Sequence, residues 1–147
     1  MKFVSKEISD FVDRQKLGFV STCDLDGNPN VSPKGTITVF SENQLVFANI
    51  RSPDTIKNLK INNKIEISII DPILRKGFLF KGIGSVFSEG AKFDEIMKLF
   101  IKNKVKSPIT SIVLVEILQI QPVDSPLYDL GYDEEEISKK WKKILGI

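Results

Sequence analysis

The chain has 147 residues, 41% hydrophobic and 27% charged, which fits one soluble globular domain with a core of its own and leaves no length for a second. Its net charge of +2 balances 21 basic against 19 acidic side chains, and the lysines are scattered rather than gathered in a run, so nucleic acid is not expected as a partner. One cysteine, Cys23, excludes an internal disulfide and a cysteine-rich metal site, while the lack of histidine removes the usual zinc and haem ligands and the Ser-His and Cys-His couples of many hydrolases.

Val4, Ile8, Phe11 and Val12 recur at helical spacing and predict a first helix over residues 5–16, stopped by Gly18. Residues 19–23 and 30–40 read as antiparallel strands reversed at Asp26-Gly27-Asn28-Pro29, and residues 44–49 as a third strand. A second helix starts sharply, with Ser52 as N-cap and Pro53 in the first helical position, and Asn62-Asn63 closes it. Residues 64–70 are strand again, 71–76 a connecting loop, and 77–87 a long strand. Phe93, Ile96, Met97, Phe100 and Ile101 mark a third helix, and residues 111–120 a last strand.

From Gln121 the character changes. Pro122 and Pro126 are expected to break regular structure, opening a C-terminal extension over residues 122–147. Its closing helix carries Asp133 to Glu136 at one end and Lys139, Lys140, Lys142 and Lys143 at the other, matching the helix dipole. Ile137, Trp141, Ile144 and Leu145 give this helix an apolar face that docks on the rest of the fold or on a partner subunit. No apolar run reaches the roughly 18 residues that span a bilayer, and Met1 to Glu7 lack the apolar centre of a signal peptide, so a cytoplasmic protein is expected.

Several antiparallel strands with few helices argue for a closed or nearly closed barrel, since closure removes exposed strand edges. The order Val31-Ser32-Pro33-Lys34-Gly35-Thr36, then Leu45-Val46-Phe47-Ala48-Asn49, then Arg51-Ser52-Pro53-Asp54-Thr55-Ile56-Lys57-Asn58-Leu59 resembles the FMN-binding split-barrel superfamily of pyridoxamine 5'-phosphate oxidases. The resemblance covers about residues 5–120. It implies a mainly β (β+α) fold, an antiparallel split β-barrel with flanking helices, and a homodimer holding FMN at the subunit interface. It also implies a phosphate near the start of the second helix and a flavin ring along the second and third strands. The cofactor-binding residues it carries over are Ser32, Pro33, Lys34, Gly35, Thr36, Phe47, Ala48, Asn49, Ser52, Thr55 and Asn58, with Arg75 reaching over from the second subunit.

Each segment also has a reading of its own. The first turn of a helix leaves N–H groups unpaired, so Asp54 and Thr55 amides with the Ser52 and Thr55 hydroxyls suit a dianion; Ser-Pro-Asp equally serves as a plain helix start. Asp54 puts a carboxylate where related flavoproteins often carry a basic residue, so a phosphate there calls for Lys34, Arg51 or Lys57 to compensate. Pro33 and Gly35 interrupt a strand, which fits either a backbone beside a ligand with Lys34 supplying charge, or an irregular edge strand with a solvated lysine. Phe47 reads as ring contact or core, Gly82 and Gly84 as barrel bending or ligand approach, Cys23 as a small buried hydrophobe or a redox thiol, and Trp141 as packing or a flavin-stacking group.

A true pyridoxamine 5'-phosphate oxidase supplies an arginine and a histidine from its C-terminal region, whereas this chain has no histidine and only Arg14, Arg51 and Arg75, so that activity is expected to be absent or feeble. The expected function is an FMN-binding oxidoreductase passing electrons or hydride to an unknown small molecule, with an electron donor such as NAD(P)H. A deazaflavin-dependent reductase of the same fold and a non-enzymatic flavin-storage protein are the alternatives. No catalytic residue is singled out.

Overall fold

The computed structural model describes all 147 residues. Along the chain they form α1 (Lys6–Gln15), β1 (Gly18–Cys23), β2 (Pro29–Lys34), β3 (Thr38–Ser41), β4 (Gln44–Asn49), α2 (Pro53–Ile61), β5 (Lys64–Asp71), β6 (Lys76–Phe87), α3 (Ala91–Lys102), β7 (Ser111–Asp124) and α4 (Glu134–Leu145). One seven-stranded antiparallel sheet runs in the order β2-β1-β5-β6-β7-β4-β3. Its hydrogen-bonded order ends at β2 on one side and β3 on the other, and residues 35–37 join these two. The fold is therefore mainly β with flanking helices. No helix is long and apolar enough to cross a membrane.

Alternation along the strands sorts the apolar residues into two clusters. Val20, Ile65, Ile67, Ile69, Phe80, Leu45, Phe47, Val113 and Val115 turn to one side of the sheet and close over Ile8, Phe11 and Val12 of α1 and Leu59 of α2. Val46, Ala48, Ile112 and Leu114 point the opposite way and meet Ile96 and Phe100 of α3. Strand β4 is thus covered on both faces. Phe47 is fully buried in the larger cluster, where a side chain of its size contributes roughly 1.5–3 kcal/mol.

Local chemistry sets the boundaries. Ser5 caps α1, its Oγ accepting from the Ile8 amide at 3.2 Å, and Lys16 ends the helix in a left-handed conformation at φ 54°, two residues before the expected stop. Gly18 instead opens β1, where an added Cβ would lie 2.4 Å from Ile37. The β1–β2 reversal is organised by Asp24, whose carboxylate accepts from the Asp26 and Asn28 amides at 2.9 Å each and from the Asn28 side chain at 2.8 Å.

Two expectations about strands are corrected. The single strand over residues 30–40 is two, because the chain turns at Gly35 and leaves the β1 ladder to join β4. Pro122 breaks nothing: β7 continues to Asp124 with Pro122 opposite Phe78. Beyond Glu116 that strand no longer pairs with β4, so a residue without an N–H fits on its free side.

The C-terminal segment folds back on the β5–β6 turn. Tyr128 donates to the Leu74 carbonyl at 2.6 Å, the Ser125 amide donates to the Arg75 carbonyl at 2.8 Å, and Lys76 pairs with Glu134. α4 begins with a capping box between Asp133 and Glu136 and buries Ile137. Trp141 is half-buried, whereas Ile144 and Leu145 stay more than half exposed, so the docked face is narrower than its apolar pattern suggests.

Candidate cofactor site

Strand β2 presents Asn30, Ser32 and Lys34 on one face, the face turned toward α2. Asn30 Nδ2 donates to Thr55 Oγ1 at 3.3 Å, and one strand over Asn58 Nδ2 donates to Thr22 Oγ1 at 3.2 Å. α2 therefore sits on the β1–β2 hairpin through two polar pairs beside the apolar contact that Leu59 makes with the larger cluster. Thr55 is fully buried, and its hydroxyl proton has no protein acceptor.

Lys34 is the most unusual group in this row. Its side chain is 7% exposed, and its ammonium donates to Ser32 Oγ at 2.7 Å and to the Pro33 carbonyl at 3.4 Å. Both acceptors are neutral. No carboxylate lies within 4 Å, since the chain's ion pairs are Lys6–Asp10, Lys76–Glu134 and Lys92–Glu95. Burial without countercharge pushes the Lys34 ammonium below its ordinary range. A buried cation bonded only to neutral oxygens is destabilised until an anion joins it.

After Lys34, Thr36 ties the β2–β3 connection to β4, its Oγ1 accepting from the Ala48 amide at 2.9 Å. Gly35 and Thr36 line a hollow of about 560 Å3 between α1, β3 and the end of α3, with Asp13, Lys16 and Lys102 on its rim. Asn49 is the hub at the end of β4. Its Nδ2 donates to Thr110 and Ser111 hydroxyls at 3.2 and 3.0 Å, and its Oδ1 accepts from the Ser52 amide at 3.2 Å and the Ser52 hydroxyl at 2.9 Å. Ser52 thus occupies the N-cap position without capping α2 through its side chain, because Asn49 engages that hydroxyl.

Nine of the twelve residues carried over from the resemblance enter these linked groups: Ser32 with Pro33 and Lys34, Thr36 with Ala48, Asn49 with Ser52, and Thr55 and Asn58 against the hairpin. Gly35 adjoins them in the chain. Phe47 faces the core, so only its backbone borders the group. Arg75 stands apart on the β5–β6 turn, its guanidinium 3.3 Å from the centre of the Trp141 ring and bonded to none of the others. Gly82 and Gly84 serve packing: an added Cβ would meet the Glu116 carbonyl at 2.2 Å or Leu59 at 3.0 Å. Cys23 is half-buried, its thiol donating to the Asp24 carbonyl at 3.3 Å.

Sequence reasoning missed Asn30 and Thr22, which position Thr55 and Asn58. The signal was the run of polar residues at alternate positions 30, 32 and 34, unusual for a strand face that a helix covers.

The residues present fit a flavin nucleotide. Lys34 offers an unpaired buried cation, Thr55 an unspent hydroxyl proton, and the start of α2 free backbone N–H groups, with the Asp54 carboxylate exposed to solvent rather than turned inward.

The family model described as Pyridoxamine 5'-phosphate oxidase matches residues 4–124, and the chain belongs to that family. Among solved structures, HupZ of Group A Streptococcus superposes with a TM-score of 0.74 at 24% identity, covering 83% of this chain and 95% of that one. An FMN-binding protein from Syntrophomonas wolfei subsp. wolfei gives 0.68 at 19% identity, covering 82% and 86%. A F420 reductase gives 0.61 at 18% identity, covering 80% and 98%. These likenesses establish the fold. The curated proteins include no match.

Proposed function

We propose that this protein binds FMN in the row between β2 and the start of α2, as a split-barrel homodimer, and uses it to pass electrons or hydride to a small molecule. The observation that carries this reading is Lys34, a residue only 7% exposed whose ammonium has two neutral acceptors and no countercharge. Family membership and the likeness to an FMN-binding protein support it.

Bound FMN would supply one- and two-electron chemistry. The chain's own part is to hold and tune it. Lys34 neutralises anionic charge, Ser32 fixes the Lys34 ammonium, and the Thr55 hydroxyl with the first amides of α2 donates to phosphate oxygens. Asn30 holds Thr55 in place. The backbone of Gly35 and Thr36, which lies between the ladders of β2 and β3, offers donors and acceptors to the ring edge, whereas the Ala48 amide is already given to Thr36 Oγ1.

A second copy has a surface to occupy. Phe19, 47% exposed, lies opposite Pro33 on one side and Ser68 on the other; Ser68 is opposite Leu79, and Val31, 59% exposed, shares the same face. An exposed apolar sheet face of this kind suits an isologous contact between two copies.

The visible absorption spectrum of the protein as purified, with the released cofactor identified by mass, tests the reading. A flavin spectrum and the mass of FMN support it; a colourless protein that takes up no added FMN ends it. A deazaflavin cofactor is the second reading, favoured by the likeness to a F420 reductase, and the same mass measurement separates the two. Oxidation of NAD(P)H by the loaded protein then divides electron transfer from storage.

A further inference from the structure

Arg75 is held in a way the flavin reading does not use. It sits in a left-handed conformation at φ 56°, on the turn between β5 and β6, with its guanidinium carbon 3.3 Å from the centre of the Trp141 ring. Stacking of this kind fixes the plane of the guanidinium. The side chain makes no hydrogen bond, and no carboxylate lies within 4 Å, although Asp124 lines the same hollow.

Two donors here are buried without an acceptor, Arg75 Nε and Trp141 Nε1, and they are the only buried side-chain nitrogens or oxygens in the chain so left. Leaving such a donor without an acceptor is costly, which favours a ligand that supplies one. Both belong to the walls of one hollow of about 390 Å3, which Ile70, Val123, Asp124 and Ser125 complete. α4 supplies one wall of this hollow through Trp141, which lies beyond residues 4–124 that the family model matches.

We propose that this hollow binds the carboxylate of a small, partly apolar molecule. A carboxylate is planar and presents two oxygens, so it accepts in parallel from the Nε and Nη edge of a stacked guanidinium, and its remaining lone pairs suit the indole N–H. Ile70 and Val123 offer the hydrocarbon part of the ligand an apolar wall. Asp124 on the same wall opposes negative charge while Arg75 offsets it for one carboxylate, so each further charge weakens binding and a monocarboxylate is favoured over a polyanion. The inference rests on no part of the flavin reading, and it engages Arg75 within its own subunit.

Trp141 is the only tryptophan in the chain, so its emission reports on this site alone. Titration with isovalerate should change that emission saturably, while 3-methyl-1-butanol, the same skeleton without charge, should not. Arg75→Gln should weaken isovalerate binding by roughly tenfold or more, the loss expected for a paired charge-assisted hydrogen bond. Because that substitution also removes the stack that helps seat α4, the Nε–H resonance of Arg75 is followed in the unaltered protein, where it should shift with isovalerate and stay put with the alcohol. A response that never saturates, an unmoved Arg75 resonance, or binding of inorganic phosphate as tight as that of isovalerate overturns the proposal.

Discussion

Replacing Lys34 by methionine separates a binding lysine from a structural one. Methionine keeps the length and apolar stem of a side chain that is 7% exposed and removes only the ammonium, whose partners are Ser32 Oγ at 2.7 Å and the Pro33 carbonyl at 3.4 Å. In the flavin-free protein the buried charge is a burden, so Lys34→Met should leave stability unchanged or raise it. With flavin bound the sign reverses. An oxyanion about 4 Å from the ammonium at an effective dielectric near 20 gains about 4 kcal/mol, and the hydration both partners give up brings this toward the roughly 1.5–3 kcal/mol typical of a hydrogen bond to a charged group. The dissociation constant for FMN should therefore rise roughly 10- to 150-fold. Quenching of flavin fluorescence gives the affinity, and denaturant unfolding without flavin gives the stability. Unchanged FMN affinity, or a variant less stable than the parent in the absence of flavin, would refute the assignment of Lys34 to an anion.

Three further outcomes follow from the same site. Burial lowers the Lys34 pKa in the free protein and a bound oxyanion raises it again, so FMN affinity should be full below the lowered value, decline as pH climbs toward the ordinary 10.5, and come with proton uptake in that window; calorimetry in two buffers measures this, and an equal decline in Lys34→Met would contradict it. Thr55→Val should weaken FMN by about 1.5–3 kcal/mol and also cost about 1 kcal/mol of stability, since it strands the Asn30 amide; equal affinity for FMN and riboflavin would take the start of α2 out of the site. Phe19→Glu should split the proposed dimer and release flavin together with it, seen by light scattering over a dilution series beside flavin fluorescence, and a parent protein that stays monomeric while holding its flavin would defeat the link.

What was legible in the sequence was what neighbours in the chain decide. Residues 45–48 form an apolar run bounded by Gln44 and Asn49, and β4 has those bounds; Pro53 begins α2 as its fixed φ requires. Choices made by distant partners were not legible. Gly35 ends β2 because the β1 ladder stops at Gly18, and Pro122 is tolerated because β4 has left its side of β7. The site shows the same division. Lys34 and Thr55 stand out by residue type, but the roles of Asn30 and Asn49 depend on partners up to 62 residues away. Ser52 looks like a cap in the sequence and is not one, since a side chain three residues earlier competes successfully for its hydroxyl.

The β5–β6 turn is the common mooring of everything after β7. Ser125 and Tyr128 bond to its backbone, while Arg75 and Lys76 hold Trp141 and Glu134 of α4. With the buried Ile137 these ties seat the segment as a unit, and a segment seated as a unit comes loose as one. Amide exchange in α4 should therefore proceed at a single opening rate, shared with the amides of the turn and far faster than that of the central strands. Limited proteolysis should likewise clip between Asp124 and Asp133 and yield a trimmed body whose sheet remains intact.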